Sequence, residues 1–488
     1  MSTLKLSVFQ TTLLLLGFIT GVLSGPRTTA PCEVNGRVYQ CDRVISQDVS
    51  IVGGGSAGTY AAVRLQALGK TVTLIEKTDR LGGNTQTYYD SDSKRFVDYG
   101  VRVWHDIPEV RNYAAHLNVS LVTFQGTPTP SIHFLLTIPS YFQFNTGEVN
   151  GTYVPPDTRA AFGQYIAQAA KYPFLDYGFD LPSPIPGDLL LPLSEFTKKW
   201  SLELLVPTLW LNTQGIGNLL STPTIYVLKY FGKSVIQGFQ TGFLGTPDGD
   251  NSALYEAASH VLYPNVLFES TILEMKRDSE SGVQIIVQTP TEMVLVKSKK
   301  LVIAIQPLLA DMGLFDLSAD EKELFGEFKG NEYFAGVLKD SGIPDNTTLM
   351  NMDSRDPYGI PQSPALYSIA QTGIPGLQTV TYQGATNTEL SSTPSSDGEI
   401  GQHIIDGLMK LNIRDKSFTK PEFVASSVHA PFELVVSAQV IENGFYGQLY
   451  GLQGQRNTWY TSATFHTHDS SLIWRFTEGL LTNITAGI

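Results

Sequence analysis

The sequence predicts an α/β fold in which a parallel-sheet layer is interleaved with a mixed α+β region. Three observations predict it. A glycine cluster at Gly53–Gly58 sits between an apolar run and a helical pattern. Strand patterns return at Asn265 after a long irregular stretch, and a strand followed by a helix ends the chain. At 488 residues the chain exceeds what one simple core holds, so two interlocked units are expected.

Each element follows from its local pattern. Val49–Gly53 is short and apolar, as a buried parallel strand requires. Ser56–Gly69 places Ala57, Tyr60, Ala61, Leu65 and Leu68 at helical spacing, and Gly69 ends the helix. Thr71–Glu76 is a second β-branched strand, completing a βαβ unit with a right-handed crossover. From about Arg111 to Asp250 the chain is rich in proline and aromatics, with one helix expected at Thr158–Ala170. Strands are expected at Val266–Phe268, Ile272–Lys276, Val283–Gln288, Glu292–Val296 and Lys300–Ile305, and a helix at Ala319–Phe328. The segment from Tyr333 to Val440 carries no clear period. Arg456–Ala463 reads as a strand and Ser470–Leu481 as a helix. The layer thus takes residues 25–110, 255–312 and 441–488, and the irregular region takes 111–254 and 313–440.

The ends and charges place the chain in a cell. Lys5 precedes an apolar run centred on Leu13–Leu16, with small residues at Ser24 and Gly25, so residues 1–24 read as a secretory signal peptide. An uncleaved membrane anchor is the alternative. Cys32 and Cys41 are the only cysteines and suit a short disulfide loop in an oxidising compartment. Sequons occur at Asn118, Asn150, Asn346 and Asn483. A secreted or lumenal glycoprotein is therefore expected, with no stable membrane insertion after cleavage. The formal charge of -13, without a basic block, argues against nucleic acid as a partner and says nothing positive about the substrate.

Gly53-Gly54-Gly55-Ser56-Ala57-Gly58 fits G-x-G-x-x-G between strand and helix. Gly53 makes the tight turn, Gly55 admits a pyrophosphate against the backbone, and Gly58 lets helix and strand pack closely. Amides at Ser56 and Ala57 open the helix and attract phosphate. Glu76 ends the next strand, where a carboxylate accepts from ribose hydroxyls. Gly54, Ser56 and Gly58 also match the hydrolase pattern G-x-S-x-G. That elbow needs a later strand and a following acid and histidine, so Ser56 is read as a phosphate ligand.

After Glu76 comes Lys77-Thr78-Asp79-Arg80-Leu81-Gly82-Gly83-Asn84, which resembles the R-x-G-G motif of flavin-containing amine oxidases and their relatives. The resemblance implies a Rossmann-like FAD-binding domain interleaved with a substrate domain. Arg80 would bond the phosphates, and Gly82, Gly83 and Asn84 would pass beside the nucleotide. Val97–Gly100 resembles the next turn beside the flavin, with Gly100 at its end. Ile272 with Met275 resembles the apolar pair over the adenine. Trp459–Ala463 and Asp469-Ser470-Ser471 resemble the last flavin-contacting strand and helix, implying contacts from Ser462, Ala463, Ser470 and Ser471. The helix start there would stabilise charge on the reduced flavin. The tail Phe465–Trp474 and the leader look most like the fungal beta-cyclopiazonate dehydrogenase family.

That likeness implies an FAD-dependent dehydrogenase or oxidase that desaturates or cyclises an apolar secondary metabolite. A secreted, peroxide-producing amine oxidase is the alternative, and a non-catalytic flavin-fold binding protein is the second. The stretch Asn331–Val337 lacks the lysine many amine oxidases carry, and no C-terminal cysteine exists to tether FAD, so non-covalent binding is expected, with a histidine link as the alternative. His466 and His468 are the candidate catalytic bases, and Trp104 and His105 candidate lining residues. The His-x-His spacing has no matching third ligand, so no metal is expected.

Overall fold

The computed structural model describes residues 30–124, 140–150, 153–386, 395–418 and 420–488. Residues 1–24, read above as a leader, lie outside the described residues. The chain builds two seven-stranded sheets. At the centre of the first is Arg43–Val52, paired in parallel with Val72–Ile75 and Met293–Ile303. Val266–Leu267 extends one side, also in parallel. On the other, Met293–Ile303 pairs with Thr458–Tyr460 in parallel and with Gly282–Gln288 antiparallel. One sheet thus draws strands from three distant stretches. Cys32 and Cys41 are joined in a disulfide beside it.

Two strand expectations need correction. Glu292–Val296 and Lys300–Ile305 are one continuous strand, Met293–Ile303. Its polar middle looked like a turn, but Lys297 and Ser298 stay in register with Ser46 and Gln47, while Lys299 pairs with Asp48 at 2.8 Å. The expected strand Arg456–Ala463 shrinks to Thr458–Tyr460. Arg456 and Asn457 have left-handed φ of 50° and 57°, and Ala463–Phe465 coils into a 3-10 turn.

The helix Ser56–Ala67 crosses one face of the first sheet and packs on the terminal helix Ser470–Thr485. Tyr60 stacks on Trp474 with ring centres 5.7 Å apart, and Arg64 holds Glu478 through two hydrogen bonds.

The second sheet runs Glu422–Val435, Lys329–Lys339, Leu377–Gln383, Ala365–Gln371, Leu349–Asn351, Ser140–Gln143, Glu148–Asn150. Its pairs are antiparallel except that between Leu349–Asn351 and Ser140–Gln143. Every residue of Ala365–Gln371 and Leu377–Gln383 is buried. Both faces are covered, so the alternation that marks a strand in sequence is absent.

A buried ion pair ties the two sheets' chain segments together. Arg277, from the edge of the first sheet, donates twice at 2.7 Å to Glu321 on the helix Ala319–Gly326. The same guanidinium reaches Tyr460 at 3.0 Å. The side chains are 0% and 5% exposed, so removing one partner strands the other's charge. Glu321→Ala is expected to cost about 3–5 kcal/mol of unfolding free energy by denaturant titration; a loss below about 1 kcal/mol would contradict this role.

Candidate functional site

The glycine turn is shaped by steric necessity. Gly53 holds φ +99°, and a Cβ on Gly58 would lie 1.9 Å from the Gly53 carbonyl oxygen. A Cβ on Gly55 would meet nothing within 4 Å. The backbone at Gly55 is therefore bare toward open space. The helix it starts has no side-chain cap, which leaves first-turn amides for a ligand. The Ser56 hydroxyl receives the Tyr255 hydroxyl at 3.0 Å.

Glu76 locks this turn from below. Its carboxylate accepts the Gly54 amide at 2.6 Å and the Thr78 amide and hydroxyl at 2.8 Å each. The second loop docks by backbone alone, Gly82 N–H donating to the Gly54 carbonyl at 2.8 Å. Gly83 follows so closely that a Cβ there would lie 3.0 Å from the Gly55 Cα. Gly100 is equally pressed against the Asn84 carbonyl, 2.0 Å from where its Cβ would sit.

Arg80 has a bracing role within its own loop. Its guanidinium donates to the carbonyls of Leu81, Thr85 and Gly83 at 3.2, 2.9 and 2.6 Å, bracing the loop it belongs to. Lys77 is exposed, and Ile272 is buried on the strand Thr271–Asp278. Neither lines the cavity, nor do Gly53, Gly58, Glu76 and Arg80.

The cavity has a volume of about 450 Å³ and begins at Gly55, Ser56, Ala57, Gly82, Gly83 and Asn84. Gly100, Ser462, Ala463 and Ser470 also line it. The Ser462 hydroxyl is buried without a hydrogen-bond partner among the described residues. Ser471 lies behind the wall, its hydroxyl accepting the His105 amide at 2.9 Å. The apolar lining comes from Trp104, Leu211, Val235, Phe239, Phe243 and Phe432, and the polar lining includes Arg102, Gln214, Tyr230, Tyr333 and His429.

The start of the terminal helix differs from expectation. Asp469 caps it, accepting the Leu472 amide at 3.0 Å, and also holds His105 Nε2 at 2.7 Å. The positive helix end is thus already faced by a carboxylate. Burial pulls the His105 pKa down, but the Asp469 charge and hydrogen bond outweigh it, and the net shift is upward.

The two candidate bases part ways. His466 is 1% exposed and does not line the cavity. Its Nε2 meets the Asp176 carbonyl at 3.0 Å and its Nδ1 meets Lys229 Nζ at 3.2 Å, so both nitrogens are committed. Burial and the Lys229 charge hold it neutral. His466 is a structural histidine, not a base at the cavity. His468 does line the cavity, but its Nε2 already accepts the Glu433 amide at 2.9 Å, and burial pushes its pKa down to about 3. A proton acceptor at neutral pH is therefore the wrong role for it.

Residues beyond the sequence reading complete the wall. Tyr333 and His429 face each other across paired strands, and burial pushes His429 down to about 4. Phe432 stacks on His468 with ring centres 3.8 Å apart. Glu433 is 5% exposed, and burial pushes its carboxyl up to about 8. No local motif marks them; only strand register brings them together.

The bare Gly55 backbone, the uncapped helix start and the orphaned Ser462 hydroxyl fit a bound dinucleotide. Residues 51–117 match the model of an NAD(P)-binding Rossmann-like domain. The chain is 36% identical to the FAD-dependent oxidoreductase oblC of Cochliobolus heterostrophus, covering 97% of this chain and 99% of that one. It belongs to this family of FAD-dependent oxidoreductases. The beta-cyclopiazonate dehydrogenase of Aspergillus oryzae is 34% identical over 90% of this chain and 92% of its own length. Among solved structures, the CLA-producing fatty acid isomerase from P. acnes shares the fold at TM-score 0.70 and 20% identity, over 90% of this chain and 99% of that one. The protein is thus an enzyme, and FAD is its cofactor.

Two outcomes test the site. A Cβ on Gly55 meets nothing within 4 Å, so FAD-free Gly55→Val is expected to melt with the FAD-free wild type yet bind FAD at least about tenfold more weakly. Flavin retained at wild-type affinity would place the pyrophosphate elsewhere. For the His105–Asp469 pair, the raised histidine contributes stability below its unfolded pKa of about 6.5, lost as pH rises through the folded value; the lowered Asp469 contributes above about 3.9. The melting-temperature gap between wild type and His105→Gln should be widest between about pH 4 and 6.5 and shrink above. A gap that grows with pH would contradict the ion pair.

Proposed function

We propose that this FAD-dependent oxidoreductase removes two electrons from an apolar secondary metabolite, desaturating it or closing a ring. Bound FAD supplies the two-electron acceptor. The carrying observation is the charge of the cavity wall. Arg102 brings positive charge, and among the described residues Asp469, already bonded to His105, is the only carboxylate in the lining. A protonated amine would enter against that charge with its one counter-ion already bonded. The aromatic and aliphatic wall favours a neutral, apolar molecule instead. Such a wall orients the substrate and keeps water from the reacting bond.

FAD is proposed to bind non-covalently, held by the backbone cradle; the described residues contain no free cysteine. A secretory route for the enzyme is proposed on the leader pattern at residues 1–24, the Cys32–Cys41 disulfide, and sequon asparagines Asn118, Asn346 and Asn483 at exposed positions; Asn150 is half-buried. No helix among the described residues is long and apolar enough to cross a membrane.

Deleting the gene should accumulate a precursor two hydrogens richer than the lost product, and this precursor should bleach the FAD enzyme anaerobically. Bleaching by simple amines, with peroxide released in air, would overturn the apolar-substrate reading.

A further inference from the structure

His468 meets Glu433 in an unusual way. Glu433 holds φ +43°, a left-handed conformation that costs an L-residue energy. That twist points its amide, not its carboxylate, at the imidazole. The amide reaches Nε2 at 2.9 Å, while the nearer carboxylate oxygen stays 3.8 Å away and is buried without a partner. An amide N–H can only donate, so Nε2 carries no proton. The ring proton of the neutral imidazole is then on Nδ1.

Nδ1 has no hydrogen-bond partner among the described residues, and the side chain keeps 9% of its surface where the ring lines the cavity. Phe432 fixes the ring plane by stacking at 3.8 Å and 29°. A donor is thus clamped in the cavity wall beside Phe432. A donor calls for an acceptor oxygen, and the absence of a proton-accepting nitrogen on this ring excludes an ammonium partner.

We propose that His468 recognises a carbonyl oxygen of the substrate through its Nδ1–H, and that the main chain of Glu433 is the positioning element that fixes this tautomer. The proposal rests on the apolar-substrate reading above and adds one functional group to it: a carbonyl beside the apolar body.

The test uses the FAD-loaded enzyme with benzophenone and its deoxygenated counterpart diphenylmethane, binding being read from the flavin absorbance spectrum. The wild type should bind the ketone about tenfold more tightly, and the bound carbonyl stretch should shift to lower frequency. His468→Phe keeps the stacking ring, so it should keep FAD and hydrocarbon binding while losing both the preference and the shift. Nitrogen NMR of labelled histidine, wild type minus His468→Phe, should show a neutral ring protonated at Nδ1 that does not titrate from about pH 8 to 5. Glu433→Gly permits the same backbone angle and retains the amide, so the tautomer and the preference should survive it. An Nε2–H tautomer, titration near the ordinary histidine value, or equal affinity for the two probes in the wild type would overturn the proposal. If neither probe binds, the apolar-substrate reading fails instead, and the tautomer measurement alone decides His468.

Discussion

Gly54 is where the cradle closes, because its two backbone polar groups are claimed from opposite sides. Its amide is held by the Glu76 carboxylate at 2.6 Å, and its carbonyl receives Gly82 N–H at 2.8 Å. Strand end, helix start and second glycine loop are thereby fixed to each other by one carboxylate and one backbone hydrogen bond. A Cβ on Gly54 itself would lie 2.6 Å from Leu81 and 3.0 Å from a Glu76 oxygen. The second loop packs against Gly55, with a Gly83 Cβ position 3.0 Å from its Cα, while the direction a Cβ on Gly55 would take stays open. Arg80, turned inward to three carbonyls, stiffens the same junction and so serves the cofactor site indirectly.

The other end of the cavity depends on the chain's last turn before its terminal helix. Between Ser462 and Ser470 successive residues face different worlds. His466 goes back to Lys229 and the Asp176 carbonyl, His468 goes to the cavity, and Asp469 joins helix cap to His105. The second sheet meets this turn through Phe432 and Glu433. Recognition of the substrate is therefore shared by strands from one sheet and a turn leaving the other. The buried Arg277–Glu321–Tyr460 cluster ties the first sheet to the helix Ala319–Gly326 that precedes the second.

The βαβ unit was legible because its demands are local. Glycine at 53 and 58 answers a turn and a close packing that neighbours in sequence create. The second sheet was not, since strands buried on both faces carry no alternation, and Thr379, Thr381 and Gln383 blur the apolar signal. The histidines show the limit most clearly. His466 and His468 look equivalent in sequence, yet only the fold gives one a lysine and a carbonyl and the other a glutamate amide. Tyr333 and His429 likewise carry no motif and meet only through the pairing of Lys329–Lys339 with Glu422–Val435. Arg80 was found by its motif, and the fold adds what the motif does not say, that its guanidinium reaches three carbonyls of its own loop.

The central claim is that the glycine cradle and the cavity wall form one continuous FAD and substrate site. A crystal structure of the FAD holoenzyme tests it most directly. The expected density places the pyrophosphate over the Gly55–Ala57 amides, the ribose at Glu76, and the flavin ring in the cavity beside Ser462 and within reach of the substrate space at His468. A flavin ring outside that cavity, or a pyrophosphate away from Gly55, would contradict it.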